Sequence, residues 1–139
     1  MSTNVRSEIS TKNRYWISKH RYYELRHFCL QYPEWKRRYA SLDGLPSHAS
    51  LSARFESGGT RSDPTAMYAE VRLYFYDRMK MVEDSANESA GHMGALLLRA
   101  VTEGTSYEHL RAQEGVPCCK DAWYAVYRRF FWLLDKARQ

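Results

Sequence analysis

The chain has 139 residues, 44% hydrophobic, 14% aromatic and 27% charged, enough for one domain, or one with a small appendage, and against general disorder. Its net charge of +5 favours an acidic partner without naming one. No apolar run nears the ~18 residues of a membrane span, and the opening residues lack the apolar stretch of a secretion signal, so the expectation is a soluble, cytoplasmic protein.

The charge is unevenly spread. Residues 1–42 hold nine Lys/Arg against three Asp/Glu, 43–98 five against eight, and 99–139 seven against five. Cys29, Cys118 and Cys119 are an odd set with two sequence neighbours, which fits a reducing compartment rather than a disulfide framework.

In chain order, residues 1–13 are polar and without period. Ser18 is a good N-cap for a first helix, with Ile17 placed to staple onto Tyr22, and Tyr22, Leu25, Phe28 and Cys29 recur at helical spacing. Pro33 suits the first turn of a second helix with Trp35, Tyr39 and Leu42 inward, stopped by Asp43-Gly44. Residues 43–62 read as a Ser/Gly-rich loop that Leu51 and Phe55 tack onto the core. Asp63-Pro64 opens a third helix, expected to run to about Ala86 with Met67, Val71, Phe75 and Val82 as its stripe. On its outer face Asp77 can pair with Lys80, and Lys80 with Asp84. Ala90 to Val101 is the next helix: Met93, Leu96, Leu97, Ala100 and Val101 fill one face, and Gly104 ends it. No segment alternates with period two long enough for a strand, so the expected class is all-α.

Thr105 and Glu108 have the spacing of a capping box, so one helix closes and the next opens with almost no linker. A short helix over 106–113 buries Tyr107 and Leu110, Gly115 makes a left-handed turn, Val116 plugs the core, and Pro117 leads into a long last helix. Trp123, Val126, Tyr127, Phe130, Leu133 and Leu134 share that helix's inner face. This is the layout of a helix-turn-helix at about 105–134, following a basic, aromatic-rich helical pair in 1–42 and the 43–62 linker. In such a unit the early exposed residues of the last helix read bases while basic neighbours hold phosphates. Those positions are Lys120, Asp121 and Tyr124, then Arg128 and Arg129, with Arg111 on the preceding helix.

The stretch Glu103-Gly104-Thr105-Ser106-Tyr107-Glu108-His109-Leu110, then Gly115-Val116-Pro117, resembles the C-terminal DNA-binding region of bacterial sigma factors. The continuation Trp123-Tyr124-Ala125-Val126-Tyr127-Arg128-Arg129-Phe130-Phe131 resembles small phage late-gene transcription regulators of the ArpU and RinA kind. The resemblance covers about 35 residues at the C-terminus and implies a DNA-binding prophage protein.

Other features keep two readings. Phe130-Phe131-Trp132-Leu133-Leu134 cannot all face one core, so the helix is either sandwiched between two others or shared with a second copy in a homodimer. The N-terminal Tyr and Trp residues, interleaved with Lys36, Arg37, Arg38 and other basic residues, are either core with a solvated basic face or a nucleic-acid surface. His20, His27, Cys29, His109, Cys118 and Cys119 lack the paired spacing of a zinc site. No phosphate loop, nucleophile elbow or zincin signature is present, so neither enzyme chemistry nor a cofactor is expected. The alternatives to a regulator of double-stranded DNA are a small-terminase-like packaging component and a phage protein that binds and inhibits a host protein.

Overall fold

The computed structural model describes residues 12–42 and 64–139. Among them lie six α-helices and one 3-10 turn, with no strand, so the class is all-α. The Asp43-Gly44 stop, the 43–62 loop with Leu51 and Phe55, and the Asp63 cap fall outside the described residues.

Helix α1 is Lys19–Leu30, entered from Ser18 in extended conformation. The Ser18 side chain makes no cap bond, but Ile17 and Tyr22 are both buried, as a staple requires. Tyr22, Leu25, Phe28 and Cys29 form its inner face. Only Gln31 separates it from α2, Tyr32–Leu42, which begins one residue before Pro33. Trp35 is buried against Phe28, with ring centroids 4.7 Å apart.

Helix α3, Pro64–Ala90, outruns the expected end at Ala86. The overrun is built from Ser and Ala: Ser85 Oγ donates back to the Met81 carbonyl at 2.8 Å, and Ser89 Oγ donates to the Val126 carbonyl at 2.5 Å. With their hydroxyls satisfied these residues can be buried inside a helix. Phe75, Met79, Val82 and Ala86 form the buried stripe, but Val71, expected in it, is 42% exposed, off the flank where Arg72 and Tyr76 meet α2. Of the two outer-face pairs, Lys80 holds Asp84 at 3.3 Å.

The helix expected from Ala90 begins only at Gly94. Gly91, at φ +57°, breaks the run, and Gly91–Met93 form a single 3-10 turn before α4, Gly94–Glu103. Met93, Leu97, Ala100 and Val101 are buried as their spacing implied, and Leu96 is half-buried. Gly104, at φ 69° and ψ 28°, closes α4 in the left-handed region.

The helix cap falls one residue later than the expected Thr105–Glu108 capping box. The Thr105 N–H bonds the Ala100 carbonyl at 3.2 Å, so Thr105 serves the end of α4. Ser106 caps α5, Tyr107–Glu114, its Oγ accepting from the His109 N–H at 3.2 Å. Helix α6, Lys120–Ala137, completes the chain.

Helix α3 is the spine, packed by α2, α4 and α6, while α1 lies against α4 and α6. Tyr32 bonds Glu83 and Tyr39 receives Arg72, so α2 runs antiparallel to α3. Phe130, Phe131 and Leu134 are buried between α1 and α3, with Phe131 against Tyr22 at 5.0 Å. Trp132 and Leu133 are half-buried, Trp132 lying edge-on to Tyr15 at 5.3 Å. The sandwiched arrangement accommodates this apolar run within one chain. Arg21 Nε to Asp135 at 2.6 Å ties α1 to α6.

Candidate nucleic-acid interface

The C-terminal constellation is held from inside. Tyr107 and Leu110 of α5 are buried, the Tyr107 hydroxyl donates to the Cys118 carbonyl at 2.8 Å, and its ring lies 6.1 Å from that of Trp123. Gly115, at φ 72° and ψ 108°, turns the chain away from α5, and its N–H bonds the Arg111 carbonyl at 3.1 Å. Arg99 reaches Glu103, Gln113 and Glu114, bracing α4 against the end of α5. Val116 is half-buried against the core rather than plugging it.

Helix α6 starts after Cys119, whose side chain makes no cap bond. Cys119 therefore leaves the partly positive end of the helix without an N-cap acceptor, and Asp121 is the acidic residue of the first turn. A surface cavity of about 390 Å³ adjoins it, lined among others by Arg111, Cys118, Cys119 and Lys120.

Sequence spacing sets Lys120, Tyr124 and Arg128 on one exposed line, and the structure corrects this. Lys120 is exposed, but Tyr124 and Arg128 are half-buried, and the Tyr124 hydroxyl and Arg128 Nε are enclosed with no acceptor. The line runs along the margin of the buried sector, beside Trp123, Tyr127 and Phe131, so packing covers what spacing alone left open. The open side of the first turns carries Asp121, Ala122 and Ala125, with half-buried Arg129 following. Sequence reasoning takes Ala122 only as a place where a polar contact is lacking and passes over Ala125, because alanine carries no binding chemistry; their exposure is implicit in the same helical period.

Lys120 holds Glu108 of α5 at 2.6 Å, and its ammonium lies 5.6 Å from the Tyr124 ring centroid. The hydrogen bond pushes the Lys120 pKa up and the Glu108 pKa down. Glu108 thus works across to α6 first, and its own backbone N–H in the first turn of α5 lowers its pKa further. Arg111 is exposed.

Lys36, Arg37 and Arg38 are exposed on α2, with Arg38 paired to Glu34 at 2.8 Å. They are not gathered with the α6 residues. Tyr39 stacks near Tyr76 of α3, whereas α6 meets α3 at Ser89, a separation on the order of 20 Å along the helix axis.

Among the described residues no three His, Cys, Asp or Glu side chains gather to hold a metal ion, and no helix is long and apolar enough to cross a membrane. No family model, curated protein or solved structure matches this chain.

Proposed function

We propose that the chain binds double-stranded DNA through α5, the 115–119 turn and the first half of α6, acting as a helix-turn-helix, and that it serves as a phage or prophage transcription regulator. The observation that carries the reading is the open side of α6. Ala122, Ala125 and Arg129 follow at helical spacing on one side, with the two alanines exposed. Small side chains let a helix backbone approach the floor of a major groove, and an arginine beside them can reach a base edge or phosphate.

Two further features support it. The uncapped start of α6, next to Arg111 and Lys120, is suited to a backbone phosphate. The Lys120–Glu108 pair is exposed on both sides, and such pairs contribute little, so a phosphate can displace the carboxylate. The basic residues of α2 would meet flanking backbone, at a distance from the groove-facing helix.

The test is a titration with duplex DNA across salt, on wild type, Ala125→Glu, and the Lys120→Ala/Arg129→Ala pair. Ala125 is exposed, so a glutamate there leaves the fold intact while repelling the duplex. Binding should be lost or strongly weakened in Ala125→Glu, and the logarithmic salt slope should flatten by roughly 0.9 for each phosphate contact removed by the pair. No DNA affinity at ~100 mM salt, where non-specific binding is normally measurable, would sink the reading and leave a protein partner. Ring assemblies on DNA would assign packaging rather than regulation.

A further inference from the structure

We propose that the first half of α3 is a docking face for a basic amphipathic helix of another protein. A helix segment that is apolar nearly all round is normally covered on several sides. Here α2 lies along one flank, where Tyr39 meets Arg72 and Tyr76, and Phe75 is buried, but another side is open: Val71 is 42% exposed, Leu73 56% and Tyr74 50%.

The open side has the pattern of a helix-pairing seam. Met67, Val71, Tyr74, Arg78 and Met81 follow at alternating spacings of four and three, the period at which two helices interlock. Val71 and Tyr74 are its exposed centre. Arg78 lies over the Tyr74 ring at 3.4 Å and bonds the Tyr74 carbonyl at 3.3 Å, which fixes the tyrosine as part of a firm surface.

Charge selects the occupant. Glu70, Asp77 and Asp84, all exposed and each one heptad apart, form an acidic row along one edge of the seam. Asp84 holds Lys80, whereas neither Glu70 nor Asp77 is ion-paired among the described residues. A second copy laid antiparallel would set this row against itself, and a parallel copy would stack Arg78 on Arg78. A helix with apolar residues in the seam and Lys or Arg along its edge satisfies both the apolar and the acidic strips.

The test uses the full chain and two labelled four-heptad helical peptides with Leu in the seam, one flanked by Lys and one by Glu. Because the protein as a whole is positive, a preference for the Lys peptide reports a local acidic face. The Lys peptide should bind about tenfold tighter than the Glu peptide or better, and Glu70→Lys/Asp77→Lys/Asp84→Lys should invert the order. Val71→Ser/Tyr74→Ser should abolish binding with unchanged helicity by circular dichroism. Equal binding of both peptides, binding of neither, or a preference indifferent to the seam variant overturns the proposal. So does a dimer in sedimentation equilibrium that the seam variant dissolves, which gives the face to a second copy. DNA affinity enters none of these readouts, so this proposal and the DNA reading stand or fall separately.

Discussion

Trp123 and Phe130 lie seven residues apart in α6 and are 1% and 0% exposed. Aromatic residues at that spacing, with Val126 and Tyr127 between, make their burial readable from the helical period alone. Replacing either by Ala should cost about 3–5 kcal/mol, measured as a lower urea midpoint at constant slope. Tyr124 is not readable in the same way: spacing tells which side chains share a line, not where the covered sector ends. Glu108 is misread for a related reason, since two positive partners compete for it, its own helix start and Lys120. Its pKa is lowered and that of Lys120 raised, so the pair's contribution is present above the ordinary carboxylate range and is lost as pH falls through the lowered Glu108 value. Glu108→Gln removes the carboxylate that competes for Lys120, so duplex DNA should bind more tightly while the salt slope stays that of the wild type, the same phosphate being met in both. The thiols divide by the same logic of cover. Burial pushes Cys29 far up and Cys118 up, while Cys119 is exposed. Alkylation of the native protein near neutral pH should take Cys119 first, Cys118 more slowly, and Cys29 only on unfolding; early loss of Cys29 would mean that the α1 core opens readily.

At the scale of elements, the apolar period finds every described helix but not their ends. Ends are settled by competition among local hydrogen bonds, as when Thr105 closes α4 and leaves the cap of α5 to Ser106. The extension of α3 to Ala90 rests on the Ser89 bond to the Val126 carbonyl, a contact between residues distant in sequence that no local pattern encodes. Gly104 is readable as a stop because a left-handed residue after an apolar run favours glycine. A Cβ there would meet Leu30 Cδ2 at 3.7 Å, an ordinary contact, so strain in the backbone alone sets the cost. Gly104→Ala should therefore destabilise by about 1–2 kcal/mol, read from thermal unfolding, with the helix content retained.

At the scale of the whole molecule, the sequence discloses basic character at both ends but not their relation. That relation depends on α3, along which α2 and the early turns of α6 are set apart by their separate contacts. If both basic regions touch one duplex, Lys36→Ala/Arg37→Ala and Arg128→Ala/Arg129→Ala should weaken DNA binding additively to within about 0.5 kcal/mol, as separated sites do. A large coupling between them would show that they form one patch. The candidate DNA surface is partly legible because helix-turn-helix chemistry uses recognisable turn and charge residues. The α3 face is not, since Val71 reads as core until its exposure in the fold is seen.

The uneven cover of α3 also has a consequence in time. Among the described residues, its later turns are held by α4 and α6 and its early turns meet α2. Backbone amides in residues 82–90 should exchange with deuterium only in rare, near-global openings, whereas those in 66–74 should exchange through frequent local fraying. One continuous helix would thus tick at two rates, and an occupant on its early turns would announce itself by slowing the faster one.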